Sequence, residues 1–213
     1  MPLVRRDAIP PSVQAGPPSP ADALHDGTAD QRWSAARALG VVADNSSVAD
    51  TVQTLAAALR TEAEPRVREA IFTSLVRIGT RESVEAVLPC LRLDDPELRG
   101  GALDALRAMM GVVRPILPAL LTDPDADVRL LTCDLVRELS APDATRLLCD
   151  VLAREAEPNV CAAAVDVLAE IGEPEALPFL QACAARFDDV PYLGFAVRIA
   201  MRRIVAERPT SNA

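Results

Sequence analysis

EPRVREAIFTSLVRIG, residues 64–79, decides the fold of this chain. An acid precedes a proline, apolar residues recur at Val67, Ile71, Leu75 and Ile78, and a glycine closes the run. Proline costs nothing at the first helical position, where its missing N–H had no partner anyway, and the acid before it places a carboxylate at the cap. The apolar spacing predicts one buried stripe along an α-helix. Gly79 predicts a left-handed residue just past the helix end. The pattern then repeats. Aligning copies on Arg68 puts Arg32, Arg99, Arg129 and Cys161 in one column, at successive spacings of 36, 31, 30 and 32 residues. Leu39, Leu75, Leu106, Val136 and Leu168 stand seven residues further on. Self-similarity at a fixed period of roughly 20–50 residues marks a solenoid, whose units bury their apolar faces only against each other.

Outward from that stretch, Asp95-Pro96, Asp125-Ala126 and Glu157-Pro158 open further first helices with an acid at the cap. Their stripes include Leu98, Ala102, Leu103 and Leu106, then Val160, Ala164, Val165 and Leu168. Gly40 and Gly172 are expected to end their helices as Gly79 does. Each second helix has its own stripe: Val52, Leu55 and Leu59; Val87, Leu88 and Leu91; Ile116, Leu117 and Leu120; Leu147, Leu148 and Val151; Phe179, Leu180 and Cys183. Pro89, Pro118 and Pro178 are expected to bend or shorten these helices. The stretch from Asp188 to Glu207 starts like a first helix but has no second, and it carries Arg198, Arg202 and Arg203. Charge on a terminal face fits a cap. Residues 1–25 are rich in proline, which opposes regular structure. They read as an extended or disordered tail with a short helical lead-in near Ala21–Leu24. The expected architecture is all-α: a right-handed α-α superhelix of about five helix pairs plus a C-terminal capping helix. It occupies residues 26–207, with a short tail at 208–213.

Composition excludes several function classes. Half of the 213 residues are apolar, enough for a core. Met1–Pro20 has no apolar signal core, and no apolar run is long enough to span a membrane, so a cytoplasmic protein without membrane association is expected. Net charge is −9. That balance argues against nucleic acid, whose phosphates are bound by Lys and Arg. Cys90, Cys133, Cys149, Cys161 and Cys183 show neither disulfide nor zinc spacing and read as buried thiols. His25 is the one histidine. A single histidine cannot furnish the His-Glu pairs of a di-iron site, nor readily a nucleophile–base pair. The carboxylates at Asp94-Asp95, Asp123-Asp125-Asp127 and Asp188-Asp189 fall at helix starts, where capping explains them. No phosphate loop or zinc-protease motif is present. Neither a cofactor, a metal nor a catalytic set is expected.

The repeats resemble the HEAT repeats of the phycobilin-lyase type. The resemblance rests on Glu64-Pro65-Arg66-Val67-Arg68 with Ile78-Gly79, on Asp125-Ala126-Asp127-Val128-Arg129, and on Glu157-Pro158-Asn159-Val160 with Ile171-Gly172. It covers about residues 28–205. Cys161 departs from it where an arginine belongs, and the third copy lacks the closing glycine. The resemblance implies a protein-binding scaffold in most members and a bilin lyase or isomerase subunit in some.

Two expectations concern side chains. Asp104, Asp134 and Asp166 stand five residues after the arginine column. With Arg99 and Arg129 they suggest a charge ladder between neighbouring repeats. The second helices of such solenoids usually line the inner, concave surface. Their outward positions here are Glu82, Glu85, Arg92, Arg114, Arg146, Asp150, Arg154, Gln181 and Arg186. A rigid, curved, mixed-charge surface without a catalytic set suits recognition of another protein. The expected function is therefore a non-enzymatic scaffold or adaptor, monomeric or weakly self-associating, in a setting such as a bacterial regulatory or signalling assembly. A bilin lyase subunit is the alternative, with few aromatics here to grip a tetrapyrrole.

Overall fold

The computed structural model describes residues 19–41 and 48–206, and every regular element among them is helical. A lead-in helix α1 (Pro20–Asp26) stands where the sequence placed one; Ser19 caps it and Leu24 is buried. Most of the expected tail, residues 1–18, lies outside the described residues, as do residues 208–213. Five pairs follow: α2 (Ala29–Leu39) with α3 (Val48–Leu59); α4 (Pro65–Ile78) with α5 (Arg81–Val87); α6 (Pro96–Ala108) with α7 (Met110–Val113) and α8 (Leu117–Leu120); α9 (Ala126–Val136) with α10 (Ala141–Arg154); and α11 (Pro158–Ile171) with α12 (Leu177–Arg186). Helix α13 (Pro191–Ala206) packs on α11 and α12 without a following partner.

The first helices α2, α4, α6, α9, α11 and α13 stack in that order as one layer. The second helices form the other. The apolar stripes of both layers meet in one continuous core, with Leu55, Ile71, Leu75, Leu106, Leu148 and Leu168 fully buried. Pro89 and Pro118 shape the second layer as expected, whereas Pro178 lies in the first turn of α12, where proline fits without bending the helix. Pro89 lies in a 3-10 segment, Leu88–Arg92, that replaces the end of the second pair's second helix. Pro115 and Pro118 each hold the second position of a new piece, so the third pair's second helix is split by a 3-10 turn at Arg114–Ile116. A missing N–H at these positions interrupts the i→i−4 ladder.

Two expectations about helix ends need correction. Asp95 and Asp125 do cap: Asp95 accepts from Glu97 N and Leu98 N at 3.0 and 3.1 Å, and Asp125 from Asp127 N at 2.9 Å. Glu64 and Glu157 make no side-chain cap bond. The shorter aspartate curls back onto the first free amides, whereas glutamate is a poor cap. Nor do the three glycines act alike. Gly79 is left-handed, with φ +63°. Gly40 is right-handed and helical, and Gly172 is extended. Gly40 serves a close approach instead: a Cβ there would lie 2.6 Å from Ser74 Oγ, which donates to Ala36 O at 2.8 Å.

Candidate protein-binding surfaces

The arginine column builds the joints between units. Arg32 donates twice to Glu62, from Nε to Oε2 at 2.7 Å and from Nη2 to Oε1 at 2.9 Å. Glu62 Oε1 also accepts from Ala63 N and Glu64 N, at the turn that opens α4. Arg129 and Glu155 repeat the arrangement at 2.7 and 2.9 Å, with Ala156 N and Glu157 N donating to Glu155 Oε1. Both glutamates are buried. The bidentate Arg32 contact holds the Glu62 carboxyl below its ordinary range. Burial pushes Glu155 upward, but Arg129 and the two amides outweigh it, and its net shift is also down. Arg68 bonds Glu62 O at 2.7 Å and Asp95 at 3.1 Å, while Arg99 comes only within 4.0 Å of Asp127. Cys161 has no such reach. Beside it Arg186 arrives from α12, donating to Leu152 O at 2.7 Å and standing 3.8 Å from the Cys161 Sγ.

The expected charge ladder exists with other arginines. Asp104, Asp134 and Asp166 are its acids, but Arg107 and Arg137 are its bases, not Arg99 and Arg129. Arg107 bonds Asp104 at 2.7 Å on its own helix and Asp134 on the next first helix. Arg137 bonds Asp134 and Asp166, each at 3.3 Å, and also Glu170. The physical reason is helical spacing: a residue three after the aspartate shares its face, and one five before does not.

All nine sequence-predicted binding residues are exposed. Glu82 and Glu85 are on α5, Arg92 ends the 3-10 segment and Arg114 starts the next one. Arg146, Asp150 and Arg154 are on α10, and Gln181 and Arg186 on α12. The structure brings some together. Asp143 receives Arg114 from the preceding unit and lies 3.6 Å from Arg146. Arg92 pairs with Asp123, and Glu85 with Arg81 at 2.8 Å. The Arg186 guanidinium lies 4.9 Å from the Phe187 ring, so the α12 end is tied to the α10 end.

Sequence reasoning missed the first-helix layer. There Trp33 is overlaid by two guanidiniums, Arg37 at 4.7 Å and Arg66 at 4.4 Å. A recess of about 350 Å3 opens beside them between α2 and α4. A second of about 430 Å3 opens between α4 and α6 over Phe72 and Leu98. The signal was present in part: Trp33 is the one tryptophan of the chain, and Gly100-Gly101 removes two side chains from a helix interior. The five cysteines are buried and free. Burial pushes the Cys133 thiol up to about 12 and that of Cys149 up to about 11, which leaves both protonated at neutral pH. No helix among the described residues is long and apolar enough to cross a membrane.

Comparison with known proteins concerns the fold. A computationally designed armadillo repeat protein for modular peptide recognition has 16% identity and a TM-score of 0.41, with 86% of this chain and 98% of that one covered. Human deoxyhypusine hydroxylase in complex with glycerol has 19% identity and a TM-score of 0.39, with 88% and 84% covered. The complex of CpcE and CpcF of phycocyanin lyase from a Nostoc species has 19% identity and a TM-score of 0.36, with 95% and 100% covered. No curated protein matches. The family model of HEAT repeats matches residues 18–107 and 113–201, which is most of the chain. The two stacked layers, the unit-to-unit joints and that match agree: the chain belongs to the HEAT-repeat family.

Proposed function

We propose that this HEAT-repeat chain is a non-catalytic scaffold or adaptor that holds another protein along its second-helix layer. The observation that supports the reading is the state of that surface. Its nine polar residues all face solvent, and Arg92, Arg114 and Arg186 are already held by neighbours. A partner that docks on fixed side chains loses less conformational entropy than one that must order them. Two glutamates lead the strip and five arginines follow with Asp150 and Gln181 among them, an uneven distribution that favours one orientation of a partner over the other.

The test is affinity capture by the full chain and by a variant with Arg146→Ala, Asp150→Ala and Arg154→Ala together. The expected result is one protein enriched by the parent chain and lost from the variant, with both equally folded by circular dichroism. Equal enrichment by both overturns the placement of the site. Enrichment of no protein, or co-purification of a coloured bilin in its place, overturns the scaffold reading.

A further inference from the structure

We propose a second, separate docking site on the first-helix layer, for an extended peptide with an acidic side chain and an apolar one three residues apart. The acidic subsite is the recess between α2 and α4. Arg37, Arg66 and Arg77 line it with Trp33 and Thr73, against the single carboxylate of Glu69. Three guanidiniums gathered in a chain of net charge −9 run against its overall balance. Arg66 is paired with Asp30, whose side chain is 87% exposed, so water already weakens that contact. Arg37 and Arg77 have no carboxylate within salt-bridge distance among the described residues. The Trp33 ring orients Arg37 and Arg66 by cation–π stacking. Guanidiniums held flat beside an open recess present paired N–H donors to a carboxylate.

The apolar subsite is the neighbouring recess between α4 and α6. Phe72, Val76, Leu98 and Ala105 form its lining. Gly101 makes room for the Phe72 ring, since a Cβ there would lie 2.7 Å from Phe72 Cε2. Glu69 and Thr73 line both recesses. One helix, α4, is therefore the whole partition between them. Packed helices lie about 8–10 Å apart, and three residues of polyproline II chain rise about 9 Å and bring the side chain back to the same face. A carboxylate in one recess and an apolar side chain in the other thus belong to residues i and i+3 of one polyproline II segment. The chain's own N-terminal segment has an apolar residue and an acid at this spacing, Val4 and Asp7, but Arg5 and Arg6 between them bring like charge to the arginine recess and make it a poor occupant.

Trp33 is the chain's one tryptophan, so its emission reports on this site alone. The probes are acetylated ten-residue peptides of Ser, Gly and Ala carrying one Glu and one Leu three residues apart, in both orders. Lys for Glu and Ser for Leu are the controls. Saturable change in Trp33 emission is expected with one order of Glu and Leu, and none with either control. Arg77→Glu should weaken binding about tenfold or more, the usual worth of a charged hydrogen bond. Ala108→Phe, which fills the exposed end of the apolar recess, should also weaken it. The triple variant of α10 should bind as the parent does, so this site and the second-helix strip are tested apart. The proposal is overturned by equal response to the controls, by unchanged affinity in folded Arg77→Glu and Ala108→Phe, or by lost binding in the α10 variant. It is equally overturned if deletion of residues 1–18 alone shifts Trp33 emission, which would give the recess to that segment, or if dilution shifts it, which would give it to a second copy.

Discussion

Glu62 and Glu155 do at single positions what the visible Glu-Pro motif was expected to do two residues later. Each carboxylate binds an arginine of the first helix of its own unit and two amides of the turn ahead. Glu155→Ala leaves Arg129 and both amides without that partner in a site where the glutamate is 7% exposed. It should destabilise the chain by about 3 kcal/mol, read from urea unfolding. The same pairs set an acid limit. Both glutamates have folded-state pKa values below their unfolded ones. Their stabilisation is complete above the unfolded value of about 4.3 and is lost as pH falls through the lower folded values. The urea midpoint should therefore drop steadily below about pH 4, and the drop should be smaller in a Glu62→Gln, Glu155→Gln double variant. At this scale the sequence is only half legible. The arginine column was plain, but its partners were not, because an offset along the chain does not say which side chains meet across a turn. Arg107 and Arg137 show the same thing: the aspartates of the ladder were found by column, and its bases needed the helix faces.

At the scale of elements the reading went further. Helix starts, most of the buried stripes and the effect of Pro89 and Pro118 on the second layer follow from local chemistry, and the structure has them where the sequence put them; Phe179, expected in a stripe, is 38% exposed. What local chemistry did not supply was the backbone conformation at two of the closing glycines: Gly40 and Gly172 end their helices where expected but are right-handed and extended, and at Gly40 packing against Ser74 decides. The stretch Met110–Leu120 is the element with the least of its own structure, two single turns of α-helix around a 3-10 turn. Few i→i−4 bonds protect its amides. In hydrogen exchange it should open well before α10 and α11, which are each 14 residues long. Protection of residues 110–120 equal to that of α10 would contradict this account.

The whole molecule is a chain of neighbours, and its weakest link can be named. Along the first-helix layer the α6–α9 junction is the sparsest, and the two family matches end and begin at the same place, residues 107 and 113. Arg107 reaches Asp134 across that junction, but Arg99 comes only within 4.0 Å of Asp127. In such arrays stability is close to a sum over units and their interfaces, so a weak interface lets the two sides separate. Trp33 lies in the first half, whereas circular dichroism weighs all helices equally. Urea transitions followed by the two signals should not coincide, and superimposable curves would show that the junction transmits unfolding intact.

Arg129 and Glu155 both lie inside residues 126–157, so the joint that a unit makes with the next is written within the unit itself. A second copy of those residues inserted after Glu157 would bring its own arginine, its own buried glutamate and its own turn. Neither seam would lack that joint. Lengthening this protein is then a matter of copying rather than of invention, and a gene that slips by one such unit yields a longer array instead of a broken one.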